Sequence, residues 1–181
     1  MSYPSHPSSD FSQNIQNENQ VLESLLNYLN LEKGSKILDV PCGEGKRTQF
    51  LNELGYEVVG IDADMNKIRH GVLVYSGLEL YQHDMQDIFY VHYFNLVVLS
   101  DYISVFNRPK NENGYILKNL FSCLALNGYL AIGLNREPSD FRKLEEFIGE
   151  ILGIGYEIQS LSLPSFSMDW MIIRKIISNP S

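Results

Sequence analysis

The chain has 181 residues, of which 44% are hydrophobic and 20% are charged, and its formal net charge is −8. These values predict one folded domain with a sizeable core. They argue against nucleic-acid binding, because an acidic chain without a dense Lys/Arg run repels phosphates. They also argue against a membrane span, because no apolar run reaches the about 20 residues that cross a bilayer.

Two cysteines, Cys42 and Cys123, are too few for a disulfide framework and lack the paired spacing of metal ligands. No metal site is therefore predicted. The first 20 residues do not show the basic segment and apolar core of a secretory signal. Together these features favour a cytoplasmic protein with two free thiols.

The N-terminal residues 1–19 are rich in Ser, Pro, Asn and Gln and poor in large apolar side chains. Such a segment buries too little surface to offset its ordering entropy, so most of it is predicted to be mobile. We expect the folded domain to occupy residues 20–181. The segment is either a plain tail or a lid that folds over a ligand, and the sequence leaves both open.

Beyond this segment, short apolar runs alternate with helical patterns. Helices are predicted at residues 14–30, 46–54, 64–75, 113–126 and 140–152. Strands are predicted at residues 36–40, 57–61, 78–83, 94–100, 129–134, 156–161 and 168–177. This alternation indicates βαβ units, and hence an α/β fold with a mainly parallel sheet and helices on both faces. The last two strands lack a helix between them and should form an antiparallel pair at one edge.

A glycine-containing turn follows the first predicted strand. Asp39 ends the strand, and Gly43 and Gly45 precede the helix that begins near Lys46. Glycines permit positive φ and close approach of a ligand to the backbone, and the helix offers free N–H groups at its N-terminus. Ligands of open α/β sheets bind at this end of the strands. By itself, however, the turn is also compatible with a tight connection that binds no ligand.

Acidic residues at the ends of the next two strands strengthen the prediction. Asp62 can accept hydrogen bonds from both ribose hydroxyls of an adenosine, although it could instead be a helix N-cap, for which Asp64 is a rival. Asp84 can accept from an adenine amino group while the N–H of Met85 donates to the ring. Asp39 precedes the glycines, unlike in G-x-G-x-x-G, so the pattern favours an adenosine with an amino-acid tail over a dinucleotide.

Four segments then carry a family resemblance. I-L-D-V-P-C-G-E-G at 37–45 resembles motif I of the class I S-adenosylmethionine (SAM) dependent methyltransferases, and Y-E-V-V-G-I-D-A at 56–63 resembles motif II. H-D-M-Q-D-I at 83–88 and L-N-G-Y-L at 126–130 are similar to later elements, the second with Asn127 in place of Pro. The resemblance is closest to a bacterial branch of small-molecule-type methyltransferases. That branch has Pro before Cys in motif I and an N-R-E sequence after the fifth strand, as this chain does.

The resemblance implies a seven-stranded sheet of order 3-2-1-4-5-7-6 with strand 7 antiparallel, and SAM as cofactor with S-adenosylhomocysteine (SAH) as product. In motif I, Asp39 and the Gly43–Gly45 backbone would hold the methionine part of SAM. Ser100, at the end of the fourth strand, would lie near the transferred methyl group. The cofactor residues implied are Asp39, Pro41, Cys42, Gly43, Gly45, Asp62, Ala63, Asp84, Met85 and Ser100.

The implied reaction is methyl transfer to O, N or C of a small molecule. The candidates facing the acceptor are Asp101, Tyr102 and Asn135, whereas His83 is more typical of a packed or solvated side chain. The motif Asn/Asp-Pro-Pro-Tyr/Phe is absent after the fourth strand, which disfavours methylation of nucleic-acid bases or glutamine.

An alternative function is a SAM- or SAH-binding partner or regulatory protein without catalysis of its own. Residues 135–139 and 162–167 are short where related enzymes insert a substrate-binding subdomain. The pocket would then be completed by the N-terminal segment, by residues 102–114, by a second copy of the chain or by a partner protein.

Overall fold

A seven-stranded sheet runs through the computed structural model, which describes residues 8–100, 108–135, 138–163 and 168–176. Its strands lie in the order β3-β2-β1-β4-β5-β7-β6, which confirms the order that the family resemblance implies. The pairs from β3 to β5 are parallel, and β7 is antiparallel to both β5 and β6. The strands are β1 (Lys36–Val40), β2 (Glu57–Asp62), β3 (Glu79–Gln82), β4 (Phe94–Leu99), β5 (Leu124–Asn135), β6 (Tyr156–Ser162) and β7 (Met168–Lys175).

Within the described ranges, five α-helices cover the two faces of the sheet. They are α1 (Ser8–Leu29), α2 (Lys46–Glu53), α3 (Met65–Val74), α4 (Lys110–Cys123) and α5 (Pro138–Leu152). Side chains of α1 and α2 pack on one face, and those of α4 and α5 pack on the other. Neighbouring residues of a central strand point to opposite faces. Ile37 therefore packs with α1 and α2, whereas Leu38 packs with α4 and α5. No helix among the described residues has the length and hydropathy to cross a membrane.

Helices α1 and α4 differ most from the prediction. Helix α1 begins at Ser8 rather than at residue 14, so it reaches into the segment predicted to be mobile. Helix α4 spans Lys110–Cys123 rather than residues 113–126, because the backbone of Leu124 already pairs with Phe94 of β4.

The predicted turn at Asn127 lies inside β5 as an irregularity of the strand. The register shifts between the pairs Phe94–Leu124 and Leu96–Tyr129, so β5 carries more residues than β4 over this stretch. Asn127 has a φ of 64°, in the left-handed region that Asn tolerates better than most residues. The chain therefore bulges here without leaving the sheet.

The parallel arrangement decides where the acidic residues meet. β1, β2, β3 and β4 run in the same direction, so their carboxyl ends share one edge of the sheet. Asp39, Asp62, Asp84 and Ser100 lie at or just after these ends. The predicted site residues of four strands are thus brought to one edge.

Candidate cofactor site

The loop between β1 and α2 is fixed by its own backbone. Cys42 N–H donates to the carbonyl of Ile61 over 2.8 Å, and Gly45 N–H donates to the carbonyl of Cys42 over 3.0 Å. Gly43 and Gly45 have φ of 59° and 85°, which L side chains rarely adopt. A Cβ built on Gly43 would meet no atom within 4 Å, so this part of the loop faces open space.

Asp62 ties this loop to β2. Its Oδ2 accepts from Gly43 N–H at 2.8 Å and its Oδ1 accepts from Asp64 N–H at 2.9 Å, and the residue is only 6% exposed. A carboxylate has about four acceptor sites, so two N–H donors leave capacity for ligand hydroxyls. The alternative role of N-cap belongs to Asp64, whose side chain accepts from Asn66 N–H at the start of α3.

Asp39 lies beneath the loop with no exposed surface. Its Oδ2 accepts a hydrogen bond from Thr48 Oγ1 at 2.7 Å, and its Oδ1 accepts from Arg47 Nε at 2.6 Å. Both carboxylate oxygens are therefore engaged by the first turn of α2. A buried carboxylate needs such partners, because its charge is costly to remove from water alone.

Arg47 is a site residue that the sequence analysis missed. Besides its ion pair with Asp39, it donates from Nη1 to Ser100 Oγ and from Nη2 to the Pro41 carbonyl, the latter over 2.8 Å. It thus joins the carboxyl ends of β1 and β4, and its side chain is 24% exposed. The signal in the sequence was a cation in the helix that follows a buried strand-end acid, which requires a partner.

Asp84 caps a short 3-10 helix, Met85–Asp87, with its Oδ1 accepting from Gln86 N–H at 3.0 Å. Arg108 Nη1 lies 3.4 Å from the same oxygen, a second cation that the sequence analysis did not single out. Met85 is buried, and as the first residue of the helix its N–H has no intrahelical acceptor. Asp84 and Met85 thus keep the acceptor carboxylate and the donor N–H that are expected for the edge of an adenine.

Helix α3 presses against the far side of the loop. A Cβ on Gly71 would lie 2.3 Å from the carbonyl oxygen of Glu44, so only glycine permits this approach. Oε1 of Glu44 also lies 3.3 Å from His70 Nδ1. Ala63 stands exposed before this helix, and its carbonyl accepts from Gln82 Nε2 at 3.2 Å.

Cys42 is a protonated thiol rather than a nucleophile. Burial, together with the charges of Asp39 and Asp62, raises its pKa to about 12. A thiolate would be required for reactivity. Its place in the loop is therefore that of a small apolar side chain, which packs with Ile68 and Leu80.

The acceptor-facing candidates are less defined. Asp101 and Tyr102 lie outside the described residues. Asn135 ends β5, where its backbone pairs with Met168 of β7. His83 is exposed, and its N–H donates to the carbonyl of Asp62 over 3.1 Å.

This geometry fits an adenosyl ligand with an amino-acid tail. Asp62 retains acceptor capacity beside the open face of Gly43, and Asp84 with Met85 offers an acceptor and a donor one strand further on. Arg47 supplies a cation at the end of β1. The described residues hold no group of three or more His, Cys, Asp or Glu side chains that could ligate a metal.

Comparison with known proteins agrees with this assignment. A family described as a methyltransferase domain matches residues 14–147. No curated protein matches the sequence.

Solved structures share the fold at low sequence identity. A TehB-like SAM-dependent methyltransferase from Corynebacterium glutamicum is 19% identical with a TM-score of 0.66, covering 93% of this chain and 97% of that one. N-methyltransferase NodS from Bradyrhizobium japonicum is 17% identical with a TM-score of 0.68, covering 95% and 100%. Magnesium protoporphyrin IX methyltransferase from Synechocystis, with bound SAM, is 16% identical with a TM-score of 0.65, covering 96% and 87%. At these identities the likeness establishes the fold.

Proposed function

The chain belongs to the class I SAM-dependent methyltransferases, and from this premise we propose that it methylates an O, N or C nucleophile of a small-molecule acceptor. SAM is the cofactor of the family, and it supplies a methyl group already activated on a sulfonium. The residues of this chain need only bind the cofactor, orient the acceptor and exclude water.

The observation that carries the proposal is the double role of Asp62. It is buried, it accepts from the N–H of Gly43 at 2.8 Å, and it keeps acceptor capacity beside Gly43, where the loop faces open space. A carboxylate placed in this way can hold a ribose while fixing the loop that contacts the amino-acid tail. Asp84 and Met85 extend the same edge toward a purine.

Alignment of the acceptor with the methyl–sulfur bond would account for the rate enhancement. Positioning of two reactants can contribute roughly 7–11 kcal/mol in favourable intramolecular systems. A general base is needed only if the acceptor arrives protonated. Asp101, Tyr102 and Asn135 are the residues that we propose for contact with the acceptor.

The acceptor pocket should be open at the end of β5. Helix α5 begins at Pro138, directly after β5 ends at Asn135, so this connection has no room for a capping subdomain. We propose that residues 102–114, the N-terminal segment or a second protein chain complete the pocket. A SAM-binding partner protein without catalysis is the competing function, because it would also have an open pocket.

Calorimetry with SAM and SAH tests the cofactor site. We expect micromolar binding to the wild-type protein and its loss in Asp62→Ala. Asp64→Ala is the matched control, since it removes an acid two residues away that caps α3 and should keep its affinity for SAH. Absence of binding to the wild-type protein would refute the proposal.

Release of SAH from SAM in the presence of small-molecule acceptors tests catalysis. Turnover with an O, N or C nucleophile that is lost in Asp62→Ala would support the methyltransferase. Tight binding of SAH without turnover across a broad acceptor panel would instead favour the non-catalytic partner protein.

A further inference from the structure

We propose that Arg47 binds the carboxylate of the amino-acid tail of SAM and so distinguishes complete cofactors from adenosyl compounds without that tail. The inference rests on the proposed function, because it assigns one further residue of the same site. Arg47 belongs to the first turn of α2, two residues after Gly45, at the carboxyl end of β1.

Three bonds from three different nitrogens hold the guanidinium in one orientation. Nε donates to Asp39 Oδ1 over 2.6 Å, Nη2 donates to the Pro41 carbonyl over 2.8 Å, and Nη1 donates to Ser100 Oγ. Arg presents five N–H donors in a rigid fork. Because Nη1 carries two N–H groups and donates one to Ser100, the fork retains donor capacity beyond its bonds to the protein.

The burial of the ion pair decides which partner faces a ligand. Asp39 has no exposed side-chain surface, whereas the side chain of Arg47 is 24% exposed. The second oxygen of Asp39 is occupied by Thr48, which is fully buried as well. A ligand arriving at the loop therefore meets the cation of this pair first, and Asp39 acts on the ligand through the arginine that it positions.

The charge of the tail matches this arrangement. An amino-acid tail is a zwitterion, and its carboxylate can accept from a guanidinium with shorter and stronger bonds than neutral groups form. Arg108, the other arginine described at this edge, lies against Asp84 beyond the end of β3 and not beside β1. Arg47 is thus the arginine placed for the tail.

Two ligands separate the tail from the rest of the cofactor. SAH carries the amino-acid tail, and 5′-methylthioadenosine lacks it but keeps the adenosine and the thioether. Calorimetry would measure the dissociation constants of both for the wild-type protein, Arg47→Gln and Arg142→Gln. Arg142 is an exposed arginine on α5 that pairs with Glu146, and its variant has the same change in charge.

We expect Arg47→Gln to weaken SAH binding about 10- to 100-fold, since it removes a charge-assisted contact. The dissociation constant of 5′-methylthioadenosine should stay within about twofold of the wild-type value. Arg142→Gln should change neither. Equal weakening of both ligands would show a purely structural role of Arg47, and an unchanged affinity for SAH would show no role. Either result would overturn the inference and leave the proposed function intact.

A second variant covers the case in which Arg47→Gln does not fold. Arg47→Lys keeps the charge over Asp39 but loses the fork, so it should fold and weaken SAH several-fold with 5′-methylthioadenosine unchanged. Failure of this selective loss would also overturn the inference. A wild-type protein that binds neither ligand would contradict the proposed function itself, and the inference with it.

Discussion

Thr48 Oγ1 donates a hydrogen bond to Asp39 Oδ2 over 2.7 Å, and neither residue has any exposed surface. The bond joins the first turn of α2 to the end of β1, beneath the loop that connects these two elements, which we call the cofactor loop. It also leaves only the other oxygen of Asp39 for Arg47. The position of the arginine thus depends on a threonine that no ligand reaches.

Replacing Thr48 tests the energetic weight of this bond. Thr48→Val keeps the shape of the side chain but leaves one oxygen of a buried carboxylate without its donor. We expect a loss of about 1–3 kcal/mol in the free energy of unfolding, measured by urea denaturation. Thr48→Ser keeps the hydroxyl and should retain the hydrogen bond. A valine variant as stable as the wild-type protein would contradict this account.

Gly71 should be intolerant of a side chain. Gly71→Ala would place a Cβ 2.3 Å from the carbonyl oxygen of Glu44, so α3 and the loop must separate. We expect a loss of about 1–3 kcal/mol in the free energy of unfolding from overpacking, and weaker binding of SAH in calorimetry. Gly149→Ala on α5 is the control, because its Cβ would make an ordinary contact 3.5 Å from Tyr156 Oη. That variant should be stabilised by up to about 1 kcal/mol.

Cys42 should make the protein less stable at alkaline pH. Its pKa is raised from 9.0 to about 12 by burial, so between these values the unfolded chain loses a proton that the folded chain keeps. Stability should therefore fall by up to about 1.4 kcal/mol per pH unit above pH 9 from this thiol. Urea denaturation from pH 8 to 11 should show a shallower decline for Cys42→Ala.

Cys123 provides the matched comparison for Cys42. Burial raises its pKa to about 11, so its contribution should be lost over a narrower pH range. Cys123→Ala should thus remove a similar slope just above pH 9, but a smaller total effect than Cys42→Ala. Identical declines in the wild-type protein and both variants would show that neither thiol is protected by the fold.

Lys175 should have the opposite dependence on pH. Burial lowers its pKa below 10.5, although its Nζ donates to the carbonyls of Phe121 and Leu124. The unfolded chain therefore binds more protons just below pH 10.5, and this residue stabilises the fold increasingly as the pH rises. The difference in free energy of unfolding between the wild-type protein and Lys175→Met should increase from pH 8 to 10.5. A difference that is constant with pH would contradict the lowered pKa.

Local patterns predicted most of the sheet. The run at Lys36–Val40 is apolar because both faces of a central strand are covered, and its predicted bounds are those of β1. The stretch after Cys123 was ambiguous, since Leu124 continues the apolar stripe of a helix formed by Leu117, Leu120 and Phe121. Leu124 belongs to a strand because it pairs with Phe94, thirty residues away in the chain. The local periodicity of the sequence carries no information on such a pairing.

The site shows the same limit. Asp39, Gly43 and Asp62 could be predicted because each stands at a strand end beside a turn, a pattern that is visible in the sequence. The role of Arg47 depends on Ser100, which lies 53 residues later. Only the parallel pairing of β1 with β4 brings these two side chains together, so no local pattern could reveal the contact.

The order of strands at the other edge has a consequence for synthesis of the chain. β6 leaves the ribosome before β7, yet among the described strands β6 pairs with β7 alone, and β7 lies between β6 and β5. A nascent chain from which β6 has emerged and β7 has not therefore exposes the open edge of β5 and an unpaired β6. Exposed strand edges are templates for pairing with other chains. Ribosome stalling before β7 should thus yield a species prone to aggregation, although the residues of the cofactor loop have already been made.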